Sequence, residues 1–117
     1  MDPDEHGGDR LERGDQFTEV EKVFPGYDVL DRDGEKIGTV QRHYADESGE
    51  PRYLAVKRDL LAMNVEIIPF DIVTVDKENE RIEVDAEQDL VKDAPTFYEA
   101  QLITPEYEKE VRSHYGL

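Results

Sequence analysis

Cysteine is absent from this 117-residue chain, so no disulfide can staple it and no thiolate can ligate a metal. Tryptophan is absent as well. Serine occurs only as Ser48 and Ser113, and neither lies in a G-x-S-x-G elbow. The histidines, His6, His43 and His114, are far apart and lack metal-ligand spacing such as H-x-x-x-H, so each reads as a surface histidine. Gly7-Gly8 precedes neither a strand-helix unit nor a lysine-serine pair, which excludes a phosphate loop. Apolar runs are short, nowhere near the roughly 18 residues of a membrane span. Met1-Asp2-Pro3-Asp4-Glu5 is acidic, unlike a secretory or transit peptide. A soluble cytoplasmic protein without membrane insertion is the expectation. Positive charge is also scarce. Lysine and arginine number 14 against 30 acids, a net charge of -16. Such a surface repels phosphate, so direct nucleic-acid binding is not expected; Arg42, Lys57 and Arg58 are the cations placed to cluster against that trend.

Acid is what the chain has in excess. It keeps a small protein soluble, and it is a habit of salt-adapted proteomes. Residues 1–22 show no apolar period and read as a flexible acidic arm. Pro25-Gly26 then turns the chain into a domain over residues 23–95, followed by an extension over 96–117.

The domain opens on a hairpin. Tyr27–Asp31 and Lys36–Tyr44 flank Asp33-Gly34, whose tolerance of positive φ predicts a type I′ turn. Gly38 inside the second strand points to a bulge or a close backbone approach. Arg52–Arg58 alternates as a half-buried strand, Leu54 and Val56 against Tyr53, Ala55 and Lys57. Val65–Phe70 is a fourth strand with Pro69 at its end or edge. Ile72–Val75 and Arg81–Val84 pair around a polar turn. Six short strands with polar turns predict a mainly β fold, a small six-stranded antiparallel barrel or sandwich. A short helix over Ala86–Asp93 follows, with Asp85 as cap and Gln88 completing a variant capping box. A C-terminal helix starts at Thr104-Pro105 and ends at Gly116, with Tyr107, Val111 and Tyr115 along one face.

Gly26-Tyr27-Asp28-Val29, then Asp33-Gly34-Glu35-Lys36-Ile37-Gly38-Thr39-Val40, resembles the opening of PRC-barrel domains. Tyr53-Leu54-Ala55-Val56, Ile67-Ile68-Pro69-Phe70, Val73-Thr74-Val75-Asp76 and the closing Leu90–Pro95 follow in the same order. The resemblance covers about Pro25–Pro95. The family includes the cytoplasmic domain of the reaction-centre H subunit and the C-terminal domain of the ribosome maturation factor. It implies a compact six-stranded barrel and a role in protein–protein contact rather than catalysis. It supplies no catalytic residues to map, and neither relative's specific function carries across, since the chain has neither the H subunit's membrane helix nor the ribosome factor's N-terminal partner domain.

Asp31-Arg32-Asp33-Gly34 invites a calcium-loop reading, which fails: Val29 and Val40 would stand at the first and last ligand positions. Acid pairs such as Glu78/Glu80 and Glu83/Asp85 read as solvated turn acids, and no cofactor, metal ligand or catalytic residue is assigned. The interaction candidates are Leu60, Leu61 and Met63 in an unusually apolar connection, and Tyr107, Val111 and Tyr115 on the last helix. The loop either plugs the barrel or meets a partner; the helix docks on its own barrel or on a second copy. The expectation is a non-enzymatic interaction or assembly module, present as a homodimer, whose partner protein the sequence does not name. A small-molecule or cation-binding barrel, or an enzyme using carboxylates inside it, is the alternative, and would need a polar lumen. An accessory role in ribosome or RNA metabolism is a third, by analogy alone.

Overall fold

Strand β3, Lys36–Ala45, is the element around which the others assemble. In the computed structural model, which describes residues 18–20, 24, 26–59, 61, 64–98 and 101–117, its first half pairs with β2 (Asp28–Leu30) and its second half with β1 (Thr18–Val20). Its other edge carries β4 (Pro51–Lys57), and β5 (Asn64–Pro69) follows beside β4. A 3-10 turn, Phe70–Ile72, leads into β6 (Val73–Asp76), which forms a hairpin with β7 (Arg81–Val84). Helix α1 (Gln88–Lys92), strand β8 (Phe97–Tyr98) and helix α2 (Pro105–His114) complete the chain.

The sheet order is β6-β7-β2-β3-β4-β5-β8, with β1 pairing along β3. This corrects two expectations. The sheet is mixed, because β2 and β7 run parallel, and it is open, ending on β6 and β8. The parallel pair traces to the turn after Pro69. The 3-10 turn is not a hairpin, so the chain does not reverse there, and β6 continues in the sense of β5. Antiparallel pairing of β7 with β6 then leaves β7 parallel to β2. The acidic arm lies outside the described residues except at β1, whose backbone pairs Thr18 with Ala45 and Val20 with His43.

The first turn is also different from the expected type. Gly34 has φ +85, but Asp33 stays at negative φ, so the loop is not type I′. Gly34 N–H donates to Asp31 C=O at 3.0 Å and Asp31 N–H to Glu35 C=O at 2.8 Å. The Asp31 carboxylate accepts from the N–H groups of Asp33 and Glu35 at 2.9 and 2.8 Å. This is a four-residue turn closed by a left-handed glycine, with Asp31 as its internal brace. The capping box at Asp85 does not form either. Glu87 is the N-cap residue of α1 and makes no side-chain cap bond, the Asp85 carboxylate sits on Arg32 at 3.1 Å, and Gln88 Nε2 donates to Lys36 C=O at 2.8 Å.

Two apolar clusters sit on opposite faces of the sheet. The inner one gathers Val29, Ile37, Val40, Leu54, Val56, Ile68, Ile82 and Val84, closed by Phe24, Ala86 and Val91. The outer one puts Tyr53, Ala55, Val65, Ile67 and Phe97 under α2. Strand β4 is therefore buried on both faces, not half-buried as its alternation suggested. Strand β3 reaches the inner cluster with Ile37, Val40 and, through its ring contacts, His43, a spacing of three rather than two. Two register shifts explain it: Ile37 is the extra residue against β2, and Gln41 the extra residue against β4.

Candidate interaction surface

The sequence-predicted helix stripe is in use within the chain. Val111 is fully buried and Tyr107 nearly so, both in the outer cluster, while Tyr115 is half-buried and touches both clusters. The helix is well specified at both ends. Thr104 Oγ1 accepts from Tyr107 N–H at 3.0 Å, with Pro105 next to it. At the other end Gly116 N–H donates to Ser113 C=O and Leu117 N–H to Arg112 C=O, the paired bonds of a Schellman stop.

Polar contacts fix the seat. Tyr53 Oη donates to Glu108 Oε2 at 2.6 Å. Arg112 forks onto both oxygens of Asp71 at 3.1 and 3.0 Å, tying α2 to the 3-10 turn. Tyr107 Oη donates to Pro95 C=O at 2.8 Å, and His114 Nε2 meets Leu90 C=O at 2.7 Å. These contacts move the titrations. The hydrogen bond from Arg112 holds the Asp71 carboxyl below its usual range. Burial, then the Glu108 carboxylate, pushes the Tyr53 phenol well above its ordinary value.

The loop candidates behave differently. Leu60 and Met63 lie outside the described residues. Leu61 is 88% exposed, its N–H held by Asp59 Oδ1 at 3.0 Å. It stands just before β5, whose first residue, Asn64, pairs with Tyr98 of β8. Tyr98 is 55% exposed, and Leu102, past a turn in which Gln101 N–H bonds Tyr98 C=O, is 51% exposed. Three exposed apolar side chains thus flank one end of the β5–β8 ladder. The sequence marks Leu61 but not Tyr98 or Leu102, because β8 is two residues long and carries no alternation to reveal it.

Arg58 does not face solvent alone: its Nε bonds Glu66 Oε2 at 2.8 Å, and Glu66 is 4% exposed. Burial raises the Glu66 carboxyl, and the arginine opposes that shift. Ser48 Oγ donates to Asp46 within the β3–β4 turn. Among the described residues no group of three or more histidines and acids is placed to hold a metal ion. None of the described helices is long and apolar enough to cross a membrane. An open groove of about 590 Å³ lies beside the first turn, lined by Arg32, Asp33, Thr74, Arg81, Glu83 and Asp85 among others.

His43 corrects the surface reading. It is 3% exposed, its ring centroid 5.5 Å from Phe24 and 6.4 Å from Phe70, because the second β3 bulge turns it inward. Burial lowers its pKa below the ordinary 6.5. The folded protein holds the ring neutral to lower pH than the unfolded chain, which takes a proton near that value. Stability from this group is complete above the unfolded pKa and is lost as pH falls through it toward the folded pKa. The expected outcome is a melting temperature that drops between pH 7.5 and 5.5, with a smaller drop in His43→Phe. Equal pH slopes for the two proteins would remove His43 as the cause.

Comparison with known families gives a match. The PRC-barrel domain model fits residues 24–91, more than half of the chain, from Phe24 through Val91 of α1. No protein of curated function matches the chain. Helix α2, β8 and the exposed Tyr98 and Leu102 lie beyond the matched segment.

Proposed function

Because the chain belongs to the PRC-barrel domain family, we propose that it is a non-enzymatic interaction or assembly module, cytoplasmic and homodimeric, that makes its contact at the Leu61 end of the sheet. The observation that carries this reading is Leu61 itself. A leucine almost wholly in water, at the same end of the β5–β8 ladder as the exposed Tyr98 and Leu102, stands out on a chain in which 38% of residues are charged. Clustered exposed apolar groups mark contact sites more often than scattered ones do. Helix α2 supports the same choice by elimination, since its apolar stripe is already covered by the sheet. The inner cluster is filled by aliphatic side chains rather than lined by polar ones, which favours a packed scaffold over a ligand-holding lumen.

Size-exclusion chromatography with light scattering tests this at micromolar concentration. The wild type is expected at twice the 13.5 kDa chain mass, and Leu61→Asp at the single-chain mass with an unchanged melting temperature. A wild type that runs at the single-chain mass would sink the homodimer. Insensitivity of the dimer to Leu61→Asp would move the contact elsewhere.

A further inference from the structure

The free edge of β6 is a second surface, remote in the sheet order from the β5–β8 end. Among the described residues β6 pairs only with β7. The phase of that ladder follows from one bond: Asp85 N–H donates to Ile72 C=O at 2.9 Å. Val73 and Val84 are then a non-bonded pair, and Thr74 and Asp76 exchange bonds with β7. The N–H and C=O of Val75 point the other way, out of the sheet, as does the C=O of Val73. No described group bonds them. The edge is lightly guarded: β6 is four residues long and ends on Asp76, but Val73-Thr74-Val75 has no charge, proline or bulge.

The side chains along this edge say what would fit it. Val73 and Val75 lean on the inner cluster and stay half-buried. Thr74 points to the opposite face, into the groove of about 590 Å³ that β7 and the first turn complete. That groove is acidic. Asp31, Asp33, Glu83 and Asp85 outnumber Arg32 and Arg81 along it. Both arginines already sit in ion pairs, Arg32 with Asp85 at 3.1 Å, and Arg81 more loosely with Asp76 at 3.4 Å and with Glu83 at 3.6 Å.

We infer that β6 accepts an extended basic segment of a partner protein as an added strand, with apolar residues continuing the Val73/Val75 face and lysines or arginines over the Glu83/Asp85 groove. Main-chain bonds to Val75 supply the docking, and alternation supplies the choice of partner. A second copy of this chain is the wrong occupant. Pairing β6 with itself would bring two groups of carboxylates together on chains that each carry -16. This surface is independent of the Leu61 contact proposed above, and either can fail alone.

The probe is a seven-residue synthetic peptide of alternating lysine and valine, titrated into the isotopically labelled full chain. Two controls have the same length: an alternating glutamate–valine peptide, and a lysine–valine peptide with all lysines at one end. The expected result is saturable shifts of the Val73–Asp76 amides, at least tenfold tighter for the alternating basic peptide than for either control. Thr74→Lys, which sets a cation over the groove and leaves the strand intact, is expected to weaken binding at least fivefold. Val75→Pro is expected to abolish it while the inner-cluster resonances stay in place. Equal affinity for the two lysine peptides would reduce the effect to bulk charge and overturn the proposal. So would shifts confined to other surfaces, no binding at all, or a dimer dissolved by Thr74→Lys but not by Leu61→Asp.

Discussion

Gly38→Ala is expected to cost about 3 kcal/mol or more and to lower the melting temperature by roughly 15 °C. The reason is space rather than backbone conformation, since Gly38 is not among the residues at positive φ. A Cβ on Gly38 would stand 2.3 Å from the Lys57 carbonyl oxygen and 2.9 Å from both Lys57 C and Arg58 Cα. All three are backbone atoms of β4 and its exit, so no side chain can rotate away. Strand β3 would have to part from β4 where Thr39 pairs with Lys57, and the inner cluster would open beneath it. Against a total stability of about 5–15 kcal/mol for a small domain, that is a large fraction. Gly49→Ala is the comparison. It has φ +89 and nothing within 4 Å of its Cβ position, so only backbone strain is at stake, on the order of 1 kcal/mol. Urea unfolding of the two variants beside the wild type decides the matter. A Gly38→Ala midpoint no lower than that of Gly49→Ala would show that β3 and β4 can separate cheaply.

That glycine shows what was readable in the chain. A glycine within a strand pattern announces a close approach or a bulge, and here it marks the approach, with a bulge residue, Ile37, next to it. The six expected strands all exist within a residue or two of their predicted ends, because turn residues and short alternating runs are local signals. The errors are of another kind. Parity along β3 depends on bulges at Ile37 and Gln41, and a bulge carries no sequence mark beyond a nearby glycine or polar residue. His43 was misplaced for that reason. The direction of β6 depends on whether Phe70–Ile72 reverses the chain, which three residues without glycine do not disclose. Burial of both faces of β4 depends on where α2 lands, a contact between residues more than fifty positions apart, such as Tyr53 with Glu108. Of the candidate site residues, Tyr107, Val111 and Tyr115 were found as a stripe, but a stripe does not say whose surface it covers. Leu61 was legible because an apolar loop is unusual; Tyr98 and Leu102 were not, because their exposure follows from the turn after β8.

The same ambiguity makes Val111→Asp the second large prediction. Read from sequence alone, the substitution tests a dimer contact. In this fold it places a carboxylate where Val111 has no solvent exposure, among Tyr44, Val65, Ile67 and Phe97 and the other side chains of the outer cluster. A lone buried charge with no partner costs several kcal/mol, and about 4 is expected here. The polar contacts of the helix do not resist this. Tyr53–Glu108, Arg112–Asp71 and Tyr107–Pro95 contribute about 1 kcal/mol each and exist only while the helix is seated. The inner cluster, by contrast, takes all of its buried members from Phe24 through Val91 and none from α2. Val111→Asp should therefore release α2 before it unfolds the sheet. The expected signs are a loss of helical ellipticity, binding of a hydrophobic dye to the uncovered face of β3–β5, and a mass by light scattering that rises rather than falls. Ser113→Asp, on the exposed side of the same helix, should leave all three unchanged. A Val111→Asp protein that keeps its helix and melting temperature while its mass halves would instead place the helix between two copies, and the seat described here would be wrong.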